Sequence, residues 1–188
     1  MISFREVSIS DARLILDWRT KKRVSQFMLT EVAYDISAQE QWIRSCYSKP
    51  DYYHWIVQIG GKDAGLINIV DWDKQKASAS WGYYIGDDDA LGFGGMVPPL
   101  FYNFCFNTLG IKLLSADVFY SNTSTIKLHL LHGYQFAPEG DHVVIKNNKP
   151  MLMVHLALHK NEFLAGRYAK HTGEFPMDKW VGKNNEPA

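Results

Sequence analysis

The run Leu91-Gly92-Phe93-Gly94-Gly95-Met96 combines three glycines with a position just ahead of a helical pattern. Backbone N–H groups that no side chain shields could converge there on an anion, at the positive end of the helix dipole. A phosphate fits that description, although glycine clusters also make plain tight turns. The run lacks the lysine and the length of a P-loop.

Seven histidines invite a metal reading. His155 and His159 fall on a predicted strand, where a rise of about 3.3 Å per residue separates them by roughly 13 Å, too far to share an ion. His129 and His132 have helical spacing but no carboxylate or cysteine close in sequence, so no metal is expected. Cys46 and Cys105 sit in amphipathic stretches and read as buried thiols without a disulfide.

The elements that hold these residues follow from periodicity. Ile2 to Val7 reads as a strand, and Ser10 precedes Asp11, Leu14, Ile15 and Trp18 at helical spacing, as an N-cap should. After an aperiodic stretch from Thr20 to Asp35, Ser37-Ala38-Gln39-Glu40 reads as a capping box opening a helix with Trp42, Ile43 and Cys46. Tyr53 to Ile59, Ala64 to Val70 and Ala77 to Ile85 form an antiparallel meander, the first two joined by Gly60-Gly61-Lys62. Pro98 and Pro99 then open a helix carrying Leu100, Phe104, Cys105 and Leu109. Leu113 to Tyr120 is a strand, and Asn122 or Thr123 caps a helix that runs to about His132 and ends on Gly133. Val143 to Lys146 and Met151 to Leu158 flank Asn147-Asn148 as a hairpin. Past His159 the pattern fades into a helix or ordered arm.

A chain of 188 residues, 46% hydrophobic and 21% charged, can close one core. Twenty basic residues balance twenty acidic ones, so no overall field attracts nucleic acid or an anionic membrane. With no apolar run long enough to span a bilayer and no signal-peptide pattern at the start, a cytoplasmic location is expected.

The order of these elements, together with WGYYIG, the glycine run and ADVFYSNTSTIKLHLLHGYQF, resembles the GCN5-related N-acetyltransferases (GNAT) over roughly residues 2 to 158. The resemblance implies an α/β (α+β) fold: a mixed, mostly antiparallel sheet of about seven strands flanked by four or more helices. The domain would cover residues 1–159, leaving 160–188 as a C-terminal extension without an assigned role. Acetyl-CoA is the implied co-substrate, with a homodimer as the weaker implication.

In that family a strand corresponding to Ser80 to Ile85 splays from its neighbour. Tyr84 and Ile85 would line the pantetheine arm, and Gly92, Gly94, Gly95 and Met96 would offer N–H groups to the pyrophosphate. Leu91 and Met96 stand where family members carry a basic or glutamine residue and a glycine or alanine, so no basic side chain reaches the phosphates from this loop. Asn122 and Lys127 are further cofactor-binding candidates, although helix capping accounts for Asn122 equally well.

Acyl transfer from a thioester needs a neutral amine, donors for the carbonyl oxygen and a proton for the departing thiolate. His129 aligns with the family tyrosine that gives that proton. It is a general acid on this reading, or else a solvated helix histidine. Asp117, in an otherwise apolar strand, is the candidate base, or simply an acceptor on the sheet.

Asp17-Trp18-Arg19 followed by Gln26-Phe27-Met28 resembles GNAT members that acetylate nucleotide-linked amino sugars, above all the transferase of the pseudaminic acid pathway. Less closely, it resembles the ribosomal-protein N-terminal acetyltransferases. The implied acceptor is a UDP-linked 4-amino-4,6-dideoxy sugar. Arg19 and Arg23, with Lys21 and Lys22, would meet its diphosphate, and Phe27 and Met28 the base or 6-deoxy methyl, unless this is a solvated basic loop. Asn68, Trp72 and Tyr83 complete the acceptor candidates. A third possibility, raised by Leu91, Met96 and His129, is a GNAT-like binding module that has lost turnover.

Overall fold

The protein is described by a computed structural model that covers residues 1–178. Strands β1 (Ile2–Glu6), β2 (Tyr53–Ile59), β3 (Lys62–Asp73), β4 (Ser78–Ile85), β5 (Leu113–Phe119), β6 (Gln135–Phe136), β7 (His142–Lys146) and β8 (Lys149–His159) form one sheet in the order β1-β2-β3-β4-β5-β8-β6, with β7 also paired to β8. Helices α1 (Ala12–Arg19), α2 (Lys22–Ser25), α3 (Ile36–Tyr47), α4 (Val97–Asn107), α5 (Thr123–Leu131) and α6 (Lys160–Ala165) cover its faces. The eighth strand is β6, whose two residues are too short to leave a period in the sequence.

Turn chemistry sets the registers. Gly60 and Gly61 both have positive φ, closing β2 onto β3 at Ile59↔Lys62. Asn147 and Asn148 also have positive φ and join Lys146 to Lys149, as a two-residue hairpin of the left-handed type requires.

Two helix starts differ from expectation. Asp35, not Ser37, caps α3, and its Oδ1 accepts the Ala38 N–H at 3.0 Å. A 3₁₀ turn over Ile9–Asp11 precedes α1, so Ser10 lies inside the turn rather than at a cap. The fixed point is Asp11, which accepts the Ser8 N–H at 2.8 Å and both Arg5 Nη groups at 2.8 Å. An aspartate so placed competes for the turn better than a serine does, because its bonds are charge-assisted.

The two faces of the sheet bury different clusters. Ala79, Ile85, Leu114, Ala116 and Val118 meet Val97, Phe101, Tyr102 and Cys105 of α4. On the other face Ile56 and Leu66 meet Ile15 and Trp18 of α1 and Ile43 of α3. Trp18 lies so close to Gly86 that a Cβ there would sit 2.0 Å from the indole, which is why the chain leaving β4 carries glycine.

The core does not stop at His159. Phe163 and Phe175 are both buried in the α4-side cluster, and Trp55 Nε1 donates to the Pro176 carbonyl at 2.8 Å. Residues 160–178 therefore pack as a continuation of the same core.

Candidate active site

The parallel pairing of β4 and β5 runs only from Ser78↔Leu113 to Ser80↔Ser115. Beyond it β4 continues to Ile85 and β5 to Phe119, each without the other. Backbone donors and acceptors of two central strands are left facing a V-shaped gap, an arrangement a globular core tolerates only where another group supplies the hydrogen bonds. An extended chain of amides, such as pantetheine, has the shape and chemistry for it.

The glycine run lies at the wide end of this gap. It folds as a 3₁₀ turn over Leu91–Phe93 that leads into α4. Gly94 and Met96 donate their N–H groups to Leu91 O and Phe93 O, at 3.1 and 2.9 Å, and Pro98 and Pro99 have none to offer. Among the expected donors, Gly92 and Gly95 are left without a backbone acceptor. Leu91 and Met96 turn their side chains to solvent.

On the α1/α3 face a cavity of about 440 Å³ opens between α1, residues 28–35, α3 and the strands β3 and β4. Arg19, Met28, Asn68, Tyr83 and Tyr84 all line it, so the fold gathers five of the sequence candidates around one space. Three buried polar atoms in this lining have no partner: Arg19 Nη1, Asn68 Oδ1 and the Tyr84 hydroxyl. Arg19 Nη2 donates to the Thr30 carbonyl and hydroxyl at 3.1 and 3.2 Å, but among the described residues no carboxylate pairs with the guanidinium. Burial pulls the Arg19 pKa down, partly opposed by Tyr84 and Tyr52. An unpaired, half-buried cation is costly, and an anionic ligand would remove that cost.

Sequence reasoning missed Tyr52, Gln39, Trp42 and Thr30, which also line the cavity. Tyr52 accepts a hydrogen bond from Asn68 Nδ2 at 3.0 Å, and burial raises its pKa. Tyr52 lies one residue before a strand, where no periodicity signals a role.

Other candidates lie elsewhere. Arg23 donates to Asp88 at 2.6 Å and to the carbonyls of Ile85 and Gly86, also at 2.6 Å, and Lys21 pairs with Asp88 at 2.7 Å. Two of the expected cations, Lys21 and Arg23, thus tie down the end of β4 and Lys22 is exposed, so that among the described residues Arg19 is the cation at the cavity. Phe27 is exposed outside the lining, and Trp72 packs against the α4-side core with Lys74 over its ring. Ile85 is buried on that same side. Asn122 caps α5, accepting the Thr125 N–H at 3.4 Å, and Lys127 is exposed on α5. Asp117 is paired across β5 and β8 with His155, Oδ1 to Nδ1 2.6 Å, outside the cavity lining.

His129 is not a solvated helix residue. It is buried, its ring 4.8 Å from Tyr134 and 5.5 Å from Trp81, and burial with help from His132 lowers its pKa to about 4. Burial thus favours the uncharged imidazole at this position. His132 is likewise lowered to about 4, burial again dominating.

These shifts carry a pH dependence. The unfolded chain takes up protons near the ordinary 6.5, whereas the folded chain resists them until about 4. The unfolded state therefore binds more protons in between, and stability that is complete above about pH 6.5 falls as pH drops toward 4. Melting temperatures measured from pH 7.5 to 4.5 should show this loss, and His129→Phe should flatten it; an unchanged slope in the variant would assign the loss to other groups.

Among the described residues no group of three or more histidine, cysteine, aspartate or glutamate side chains could hold a metal ion, and no helix is long and apolar enough to cross a membrane.

Residues 2–135 match the family model described as an acetyltransferase (GNAT) domain, and the chain belongs to that family. It is an acetyl-CoA-dependent N-acetyltransferase. Acetyltransferase PseH of Campylobacter jejuni is 26% identical over 127 residues, which is 68% of this chain and 78% of that protein. Spermidine N-acetyltransferase SpeG of Vibrio cholerae, solved in complex with CoA and spermine, superposes with a TM-score of 0.78 at 15% identity, covering 87% of this chain and 98% of that one. A dodecameric structure of the Vibrio cholerae enzyme gives a TM-score of 0.72 at 15% identity, covering 87% and 96%.

Proposed function

We propose that the acceptor is the 4-amino group of a UDP-linked 4-amino-4,6-dideoxy sugar, acetylated by direct attack without a covalent enzyme intermediate. The observation that carries this is the Arg19 guanidinium: it lines the 440 Å³ cavity with Nη1 buried and unpaired. The one acidic residue of the lining, Asp35, is engaged at the N-terminus of α3. A polyamine or a basic peptide would meet a cation without a free carboxylate, whereas a diphosphate would give Arg19 its missing partner. The likeness to PseH lends support of a second, independent kind.

Acetyl-CoA supplies the acyl group as a thioester, and its thiol leaves with the proton that the amine gives up. The gap between β4 and β5 would hold the pantetheine arm, with Gly92 and Gly95 at the phosphates. Asn68 Oδ1 and the Tyr84 hydroxyl, both buried and unpartnered, would take the polar groups of the sugar ring and orient the amine. Met28 would cover apolar substrate surface. Asp117, paired with His155, is the proposed acceptor of the proton that the ammonium form of the acceptor loses before it attacks, on the sheet face that also carries Tyr84.

Thiol release from acetyl-CoA should be measured with the UDP-amino sugar, with spermidine and with a basic N-terminal peptide. The sugar should be preferred by about a hundredfold in kcat/KM, because unsatisfied buried polar groups penalise a poorly matched acceptor. A preference for spermidine would sink the proposal.

A further inference from the structure

The glycine loop is held by two side chains that no feature of the loop itself discloses. The Tyr83 hydroxyl donates to the Gly94 carbonyl at 3.1 Å, and His132 Nε2 lies 3.1 Å from the Gly95 carbonyl. A peptide unit is planar and trans, so fixing a carbonyl in one direction sends the next N–H in the other. With Gly94 O turned in toward Tyr83, the Gly95 N–H is turned out, and it has no acceptor among the described residues.

That orientation matters here more than it would in a loop with other donors. Gly94 and Met96 donate internally, Pro98 and Pro99 remove two donors from the first turn of α4, and Leu91 and Met96 bring no charge. An anion at this loop depends on very few N–H groups, and their direction must be set by something outside the loop.

We propose that Tyr83 is a positioning residue for the donor. Through its hydroxyl bond to Gly94 it aims the Gly95 N–H at a pyrophosphate oxygen of CoA, while His132 holds the peptide that follows, between Gly95 and Met96. Tyr83 borders the acceptor cavity as well, but its hydroxyl faces the loop. The proposal rests on acetyl-CoA use and is independent of which amine is accepted.

Tyr83→Phe removes one oxygen and leaves the ring in place. Binding of CoA, read by calorimetry, should weaken about tenfold, which is what one net hydrogen bond supplies. Binding of pantetheine, which lacks the pyrophosphate, should be unchanged when followed by ligand-observed NMR. With acetyl-CoA as donor, KM should rise while kcat stays within about twofold. Equal weakening of CoA and pantetheine would mean that Tyr83 merely supports the fold of β4, and unchanged CoA binding would mean that the loop holds its direction without it; either result overturns the proposal.

Discussion

Arg19→Met is expected to lower kcat/KM for the UDP-amino sugar by about a hundredfold while leaving the melting temperature unchanged or raised. The size follows from a charge-assisted contact with a phosphate, on the order of 2–3 kcal/mol. The unaltered stability follows from the native state, in which the guanidinium is partly desolvated and, among the described residues, has no carboxylate and is bonded only to Thr30. Methionine has a similar length and no charge to desolvate, so the cavity wall survives the exchange. Stability and catalysis should therefore part company at this residue. Steady-state kinetics with a melting curve on the same preparation tests both halves. A kcat/KM within twofold of the parent enzyme would remove the diphosphate contact, and a large drop in melting temperature would give Arg19 a structural role instead.

The second large effect is expected far from the cavity. Phe175→Ala should destabilise the protein by about 3 kcal/mol or more, as truncation of a buried phenylalanine does. For a chain of this size that lowers the melting temperature by roughly 6–12 °C. The ring stacks on Phe4 at 3.8 Å and on Phe104 at 4.6 Å, and stands edge-on to Trp55 at 5.3 Å. Emptying that position leaves a hole bounded by four aromatic residues, Phe101 being the last at 5.7 Å. A domain that ended at His159 would not register the change, so thermal unfolding of this variant also decides whether residues 160–178 belong to the folding unit. A shift below about 2 °C would make the arm an appendage.

Local features were legible in the pattern of residues alone. Alternation located β2, β4, β5 and β8 to within a residue or two, glycine and asparagine pairs closed the hairpins, and Asn122 and Gly133 bounded α5. Such features depend on neighbours a few positions away, and the pattern of residue types records them directly. The family likeness carried the same information further, to the splay of β4 from β5 and the place of the glycine loop.

Which side chains face the site depends on long-range packing. Arg19 and Arg23 lie four residues apart and look alike in the sequence. One opens onto the cavity, while the other is claimed by Asp88, 65 positions away. His129 carries no mark distinguishing a solvated helix face from one wedged between Trp81 and Tyr134, yet that difference sets its charge at neutral pH. Tyr52, Tyr83 and Phe175 acquire their roles through Asn68, Gly94 and Phe4, which lie 16, 11 and 171 positions away. The common reason is physical: burial and partner choice depend on contacts between distant segments. No local period encodes those contacts, and they exist only once the sheet has brought the segments together.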